Sequence, residues 1–286
     1  MLANGAHSHM NDESCFIDER PAVTIEDDSD RYRAPALDKG LDILELLARI
    51  DGGLTQAEIA KALGKSPNEF YRMLDRLVRR GYVQRQDGDR FYLTLKLFGL
   101  AHYHAPVRRL VSFATPLMRE FSNRAEQACH LAIFDRGSVV VIAQQDSPTY
   151  WGISIRVGAQ INLFNTGSGH ILLAFRDEKQ RQMMINEQRR QQDQEDDRPP
   201  ADLDERLRAI RDKGFETMDS LQTNGVRNIS APILAMDGNA LAALTCPYIQ
   251  PVNPNAPTYD QVIDHVRDAA KQISETVVGT VDSAEL

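Results

Sequence analysis

The side chains best suited to contact a nucleic acid lie between Ser66 and Gly81. Successive residues of a helix are turned by about 100°, so the polar residues of this stretch gather on one side and the apolar residues on the other. Amide and guanidinium groups on an exposed helix face suit the base edges of the DNA major groove. The polar side consists of Asn68, Arg72, Asp75, Arg76 and Arg79. Taken alone, the stretch could equally be a solvated helix face, because arginine is common on protein surfaces.

The helix that carries these side chains has clear start and stop signals. Ser66 and Glu69 match a capping box, and Gly81 is a typical stop. A second helix is predicted just before it, over residues 54–64. The tight turn at Gly64–Lys65 would join the two helices as a helix-turn-helix requires.

A third helix and a hairpin complete this predicted domain. An apolar repeat between Leu37 and Ala48 indicates the earlier helix, and two strand-like runs flank Asp87-Gly88, which is a strong hairpin signal. Three helices followed by a hairpin form a winged helix-turn-helix. We therefore predict a DNA-binding domain over residues 34–95.

The predicted DNA contacts fall into two groups. The recognition helix should engage the major groove through Ser66, Asn68, Tyr71 and Arg72, with Arg76 as a further candidate. The wing and the start of the preceding helix should hold the DNA backbone through Arg85, Arg90, Thr55 and Gln56.

The distribution of charge agrees with a DNA-binding module on a body that does not touch DNA. The chain of 286 residues has a net charge of −8, yet residues 31–110 carry 15 lysines and arginines against nine acidic residues. The remaining residues carry 18 against 32 and are strongly acidic. Three scattered cysteines, together with no apolar signal segment or membrane-spanning run, lead us to expect a cytoplasmic protein.

The rest of the chain divides into three predicted segments. Residues 1–33 are polar and acidic without an apolar period, so we expect a disordered tail. Residues 96–122 have a mostly helical pattern and predict a linker helix that pairs with a second copy. A twofold pair of recognition helices would read a palindromic operator in double-stranded DNA.

Residues 123–286 alternate between strand and helix patterns. Strands are predicted at 128–134, 138–144 and 151–158, a Gly-rich loop enters a buried helix over 165–175, and a last helix starts at Thr258. Strands interleaved with helices and closed by a terminal helix predict an α+β domain of the sensor type.

The order of these motifs resembles the IclR family of bacterial transcriptional regulators from about Pro35 to Val278. The resemblance rests on separate runs in the right order: Ala36–Leu47, Glu58–Ala60, Tyr71–Leu77, Arg156–Gly158, Gly167–Ala174 and Gly225–Ile233. It implies a winged helix-turn-helix, a linker helix and a C-terminal GAF-like effector-binding domain, assembled as a dimer or a dimer of dimers. It also implies control of a catabolic operon by a small organic or aromatic acid, without a cofactor.

The resemblance implies a set of effector contacts. In the family the Gly-rich loop offers backbone amides, which here belong to Gly167 and Ser168 and would suit a carboxylate. The other family positions fall at Asp219, Asn228, Thr245 and Cys246. Two features depart from the family pattern, because His170 replaces the usual basic residue of the loop and the segment before Gly225 lacks the usual acidic pair.

Other functions stay open beside this one. An enzyme would need titratable groups that converge, but Cys129 and His130 should point to opposite faces of a strand, and their spacing does not match a structural zinc site. We therefore predict no catalytic residue and no metal. An interaction adaptor that kept the winged fold without binding DNA is the main alternative, since Glu69 and Asp75 would repel phosphate. Tyr150 and Trp151 could line an aromatic pocket or lie in a core or an interface.

Overall fold

A computed structural model describes residues 34–86, 89–103, 105–191 and 198–282. The predicted tail at 1–33 and the predicted turn at Asp87-Gly88 lie outside these residues. Contacts divide the chain into two compact units, Met1–Leu97 and Phe98–Leu286. Among the described residues, no helix has both the length and the apolarity needed to cross a bilayer.

The first unit contains the three predicted helices. They are α1 (Pro35–Leu47), α2 (Gln56–Ala62) and α3 (Pro67–Arg79). The tight turn between α2 and α3 uses Gly64, whose positive φ of 64° is readily adopted only by glycine. This turn gives α2 and α3 the helix-turn-helix arrangement.

A small sheet completes the first unit. Its strands β1 (Leu54–Thr55), β2 (Val83–Gln86) and β3 (Arg90–Leu93) are antiparallel and follow the order β1-β3-β2. The predicted hairpin is therefore present as the pair β2–β3. One apolar core joins the sheet to the helices through Ile43, Ile59, Phe70, Leu74, Val83 and Phe91.

The second unit is built on a six-stranded antiparallel sheet with the order β6-β5-β4-β9-β8-β7. The strands are β4 (Cys129–Asp135), β5 (Ser138–Gln145), β6 (Gln160–Ile161), β7 (Glu216–Asp219), β8 (Val226–Leu234) and β9 (Ala240–Ile249). The helix α4 (Lys96–Tyr103) spans the division at Leu97, and the other helices of this unit are α5 (Ala105–Ala125), α6 (Gly167–Ala174), α7 (Glu178–Gln191), α8 (Leu203–Lys213) and α9 (Tyr259–Asp282).

Helices cover both faces of this sheet. α5 and α9 pack on one face, where Leu131 and Leu244 belong to their core, and α6, α7 and α8 pack on the other with Ala132 and Ala243. Successive strand residues point to opposite faces, so neighbours in sequence join different cores. The α+β class predicted from the sequence is confirmed.

Two sequence-based expectations differ from the structure. The predicted boundary at residue 123 falls inside α5, whose buried residues Ala114, Met118 and Phe121 belong to the core of the second unit. The predicted strand at 151–158 is wrong. Ile153 and Ile155 are half-buried, which explains the alternating pattern, but residues 151–158 are not a strand: only the Gly158 amide bonds to β5, at the Val141 carbonyl, among the described residues, and residues 153–156 form a cavity wall.

Candidate nucleic-acid interface and ligand cavity

The exposed face of α3 carries side chains that the protein itself does not use. Asn68, Tyr71, Arg72 and Arg76 are all exposed, and the described part of the chain offers none of these side chains a hydrogen bond or an ion pair. The exposed fraction of Tyr71 is 64%. Polar groups in this state are available to phosphate and base atoms.

The start of α3 is fixed by Glu69. Its carboxylate accepts hydrogen bonds from the Ser66 amide (3.2 Å) and hydroxyl (3.1 Å), and it pairs with Lys39 of α1 at 2.7 Å. Ser66 and Glu69 form the predicted capping box, and the Glu69 amide also donates to the Ser66 carbonyl at 3.1 Å. Lys39 and the Ser66 donors lower the pKa of Glu69 to about 2.

Both acidic residues near the reading face have basic partners. Glu69 pairs with Lys39, and the Asp75 carboxylate accepts from Arg79 Nε at 2.9 Å. The alternative of an adaptor that does not bind DNA assumes that Glu69 and Asp75 repel phosphate. Their basic partners offset this repulsion.

The predicted backbone contacts at the start of α2 have internal roles. Thr55 and Glu58 form the complete capping box, with the Thr55 amide donating to Glu58 at 2.8 Å. Gln56 Nε2 donates to the carbonyl of Pro67 at 2.8 Å and so ties α2 to the start of α3. Both side chains help to hold the recognition helix in place.

The two wing arginines differ in their contacts. Arg85 pairs with Asp89 at 2.7 Å, and both side chains are exposed, so phosphate could replace that partner. Arg90 donates to the Gly53 carbonyl at 2.9 Å and lies 3.4 Å from Glu58, which joins β3 to the loop before β1. Arg90 therefore contributes to the structure of the wing.

An apolar groove of about 1030 Å³ runs between α1 and α3. Its walls include Leu37, Leu41, Leu44 and Met73, and Leu37 is 61% exposed. Single exposed leucines are ordinary, but a contiguous apolar groove of this kind typically marks an interaction surface.

The second unit contains a polar cavity of about 730 Å³. The start of α6, strands β4, β8 and β9, the segment 153–162 and the loop 220–223 form its walls. Gly167, Ser168, Asn228 and Thr245 lie in these walls, as the resemblance implies. Their role in binding an effector stays a prediction.

The first turn of α6 presents backbone amides. Thr166 Oγ1 accepts from the Gly169 amide at 3.1 Å, whereas the amides of Gly167 and Ser168 have no acceptor among the described residues. A Cβ atom at Gly167 would lie 2.5 Å from the Ser230 hydroxyl oxygen. Glycine thus allows α6 to approach β8 closely and leaves two amides for an anion.

A chain of hydroxyl groups underlies the start of α6. Thr245 Oγ1 lies 2.8 Å from both Ser168 Oγ and Ser230 Oγ. His130 Nε2 is 3.4 Å from Ser168 Oγ, and His130 Nδ1 is buried without a hydrogen-bond partner among the described residues. Burial lowers the pKa of His130 to about 4, so the ring is neutral near pH 7.

Three residues noted in the sequence lie away from the cavity. His170 Nδ1 contacts Glu216 at 3.2 Å and its Nε2 contacts the Phe164 carbonyl at 2.7 Å, so the buried ring holds α6 in place. Asp219, an expected effector contact, is exposed at the end of β7 and faces Arg227 at 3.5 Å. Cys246, also expected there, points into the opposite core, where burial raises the pKa of its thiol.

Alternation along β9 explains the displacement of Cys246, because Thr245 and Cys246 face opposite sides of the sheet. The sequence also failed to identify His130, Asn165 and Arg156 as cavity residues. Arg156 stands in one of the quoted motifs, which could have indicated it. His130 and Asn165 gave no such signal, because their position depends on how β4 and α6 pack. Among the described residues, no cluster of His, Cys, Asp or Glu could hold a metal ion.

Family models match both units of the chain. The model described as the IclR helix-turn-helix domain matches residues 36–87, and the model described as the C-terminal domain of bacterial transcriptional regulator IclR matches residues 104–275. Among relatives, the HTH-type transcriptional regulator BhcR of Paracoccus denitrificans is 30% identical, covering 73% of this chain and 76% of the relative. The HTH-type transcriptional regulator KdgR of Escherichia coli is 28% identical, and the match covers 66% of this chain and 72% of that relative.

Solved structures share the fold. The IclR of Thermotoga maritima has a TM-score of 0.66 at 21% identity, and 84% of this chain and 98% of that chain are covered. An IclR homolog of Microbacterium hydrocarbonoxydans, complexed with 4-hydroxybenzoate, also has a TM-score of 0.66 at 19% identity. The match covers 84% of this chain and 97% of that chain. Because the C-terminal model alone matches more than half of the chain, the chain belongs to the IclR family of bacterial transcriptional regulators.

Proposed function

We propose that this regulator binds a palindromic operator as a homodimer or a dimer of dimers, and that a small organic acid in the cavity changes its hold on the DNA. One observation carries the proposal: the same chain combines polar side chains on α3 with a cavity that presents two backbone amides, and none of these groups has a partner among the described residues. The target would be a catabolic operon, and the protein would act in the cytoplasm, where bacterial DNA lies.

The DNA contacts would come mainly from α3. Asn68, Tyr71, Arg72 and Arg76 supply amide, hydroxyl and guanidinium groups that have no partner within the described residues, and Arg85 can exchange Asp89 for phosphate. Ser66, Thr55, Gln56 and Arg90 would support these contacts by holding the helices and the wing.

A second copy of the chain is the proposed partner of the apolar α1 side of this groove, so that Asn68, Arg72 and Arg76 on its α3 side stay available to DNA. An operator read by two α3 helices requires a twofold pair, and the exposed apolar residues Leu37 and Leu41 offer a surface that such a pair would bury. Exposed Leu100 on α4 agrees with a linker helix that contacts its counterpart.

An acid is proposed as the effector because amides at a helix N-terminus favour negative charge. The relative complexed with 4-hydroxybenzoate supports an acid as the general class. Control requires only that the acid bind two arrangements of the dimer with different affinity. A typical coupling free energy of about 1–3 kcal/mol would change operator affinity roughly 5- to 150-fold.

The proposal is tested by fluorescence anisotropy with the purified protein and DNA from its own upstream region. Salt-sensitive binding to one palindromic segment, altered by an organic acid, is the expected result. Binding to DNA that no acid alters at saturation would remove the effector part of the proposal. Failure to bind any upstream segment would favour the adaptor instead.

Catalysis is not part of the proposal. Ser168 and His130 are 3.4 Å apart, but among the described residues no carboxylate orients His130 Nδ1, as a serine hydrolase would require. Hydrolysis of an ester of a bound acid by the purified protein would contradict this assignment.

A further inference from the structure

The lining of the cavity beside α6 carries one formal charge. Arg156 is the only lysine, arginine or acidic residue among the described lining side chains, and it has no ion-pair partner in the described part of the chain. His130 adds no charge near pH 7, because its buried ring is neutral. One positive charge and two helix-terminal amides match a ligand with a single carboxylate.

The walls offer no aromatic surface. No phenylalanine, tyrosine or tryptophan lines the cavity within the described residues, and its apolar wall is aliphatic, as at Ile153, Ile155 and Leu221. Tyr150 and Trp151, the two aromatic candidates in the sequence, are 99% and 71% exposed and lie outside the lining. A ring-shaped ligand would therefore lack the stacking and edge contacts that usually stabilise it.

Hydrogen-bonding groups of the cavity lack partners within the described chain. The Asn228 side chain forms no hydrogen bond there, and Asn165 Oδ1 and His130 Nδ1 are buried and unpaired. Thr245 and Ser168 add hydroxyl groups that can both donate and accept. Because buried polar groups are normally paired, this surplus indicates a ligand with several hydroxyl or carbonyl oxygens.

We infer that the effector is a hydroxylated aliphatic monocarboxylate of the sugar-acid class and not an aromatic acid. The inference rests on the proposed effector role of the cavity. In this arrangement the ligand carboxylate accepts from the Gly167 and Ser168 amides, and Arg156 balances its charge. The ligand hydroxyls pair with Asn228 and with the hydroxyl chain at Thr245.

The inference is tested by isothermal titration of the full-length protein with three kinds of probe. Gluconate, galactonate, xylonate and 2-ketogluconate represent the sugar acids, 4-hydroxybenzoate represents the aromatic acids, and glucitol is a hydroxylated ligand without charge. At least one sugar acid should bind at least about 10-fold more tightly than 4-hydroxybenzoate and glucitol, because only the sugar acids satisfy both the amides and the hydrogen-bonding side chains. Tighter binding of 4-hydroxybenzoate, or no binding by any of the four sugar acids at about 10 mM, overturns the inference.

Two variants locate the site. Asn228→Leu keeps the size of the side chain but removes its amide, so it should lower the affinity for the sugar acid at least about 10-fold. Arg156→Gln should lower the affinity for the sugar acid and leave the weak binding of glucitol unchanged. Arg208→Gln, the same change on the exposed face of α8, is the matched control and should have no effect. Circular dichroism verifies that each variant is folded.

Operator binding measured on the same samples separates this inference from the proposed function. If 4-hydroxybenzoate binds and alters operator affinity, the regulator proposal stands and the sugar-acid assignment fails. If a sugar acid binds in the cavity without altering operator affinity, the assignment of the ligand stands and the proposed control fails. Unchanged sugar-acid affinity in both Asn228→Leu and Arg156→Gln would contradict the assigned cavity.

Discussion

Arg72 and Arg90 are both predicted DNA contacts, but their surroundings give them different roles. Arg72 has no partner among the described residues, whereas Arg90 donates to the Gly53 carbonyl and faces Glu58. Residue type alone cannot separate these roles, since both are arginines in a basic module. The distinction follows from where β3 places Arg90 relative to the loop before β1.

Replacing Arg72 should therefore weaken DNA binding without loosening the fold. We expect Arg72→Gln to cost about 1–3 kcal/mol of operator binding, as the loss of a base or phosphate contact does. Arg90→Gln should in addition lower the free energy of unfolding by about 1 kcal/mol, because an internal hydrogen bond is lost. Anisotropy and urea denaturation measure the two effects, with Arg208→Gln as the control. Unchanged operator affinity in Arg72→Gln across several salt concentrations would contradict the DNA contact.

His130 predicts a dependence of stability on pH. Its pKa falls from 6.5 to about 4 in the folded protein, because burial disfavours the charged ring. Between these values the unfolded chain binds a proton that the folded chain does not, so stability should fall as the pH is lowered from 6.5 to 4. The loss would be at most roughly 3 kcal/mol, and below about pH 4 no further loss is due to this group.

Urea denaturation of wild type and His130→Gln at pH 7 and pH 4.5 checks this prediction. The variant should lose less stability on acidification than the wild type, because its side chain does not titrate. His265→Gln is the control, since His265 is only partly buried on α9 and should change the pH dependence less. If the wild type and His130→Gln lose equal stability between pH 7 and pH 4.5, the buried ring does not control this part of the pH dependence.

At the scale of elements, α6 depends on glycine in a way that spacing in the sequence cannot reveal. A Cβ atom at Gly169 would lie 2.1 Å from the backbone carbonyl oxygen of Leu163. A backbone atom cannot move aside as a flexible side chain can, so α6 would have to shift away from the preceding loop. That shift would also move the amides of Gly167 and Ser168 at the cavity.

We expect Gly169→Ala to lower the free energy of unfolding by about 1–3 kcal/mol, the usual cost of overpacking. Binding of the acid identified by titration should weaken as well, because its two amides are displaced. Gly279→Ala on α9 is the matched control, since its Cβ would meet nothing within 4 Å. Denaturation and isothermal titration measure both quantities, and a Gly169→Ala variant with unaltered stability and affinity would contradict the tight packing of α6.

The elements best predicted from the sequence are those whose signals are local. Capping residues, the glycine turn and the hairpin signal correctly indicated α2, α3 and the β2–β3 pair. The segment 151–158 was misjudged because its alternating isoleucines fit a strand equally well, and only the tertiary fold decides that it lines a cavity. The cavity residues His130 and Asn165 were missed for the same reason, since β4 and α6 meet only in the folded chain.

At the scale of the whole molecule, charge and apolar surface point to different partners. The basic part of the chain, residues 31–110, attracts DNA, while the acidic remainder limits indiscriminate coating of nucleic acid. The groove between α1 and α3 is apolar and borders Arg72 and Arg76. A second copy packed against the α1 side of this groove would therefore bring two basic faces into one assembly and leave Arg72 and Arg76 available to DNA.

This arrangement predicts that a charged side chain introduced into the groove disrupts the dimer and leaves the fold of the single chain intact. Leu41 is exposed in the single chain, so Leu41→Glu should leave the fold intact. In a dimer that buries the groove, an unpaired carboxylate would cost on the order of several kcal/mol and shift the protein toward monomers. Operator affinity should fall in parallel, because one α3 helix can occupy only half of a palindrome.

Sedimentation velocity at several protein concentrations measures this change, with anisotropy on the same samples. Met236→Glu is the control, because Met236 is 70% exposed in the turn between β8 and β9 and does not line the groove. A Leu41→Glu variant that stays as associated as Met236→Glu and the wild type would show that the groove is not the surface between copies. Monomers that still bind the palindrome with full affinity would show instead that pairing of the α3 helices does not depend on this surface.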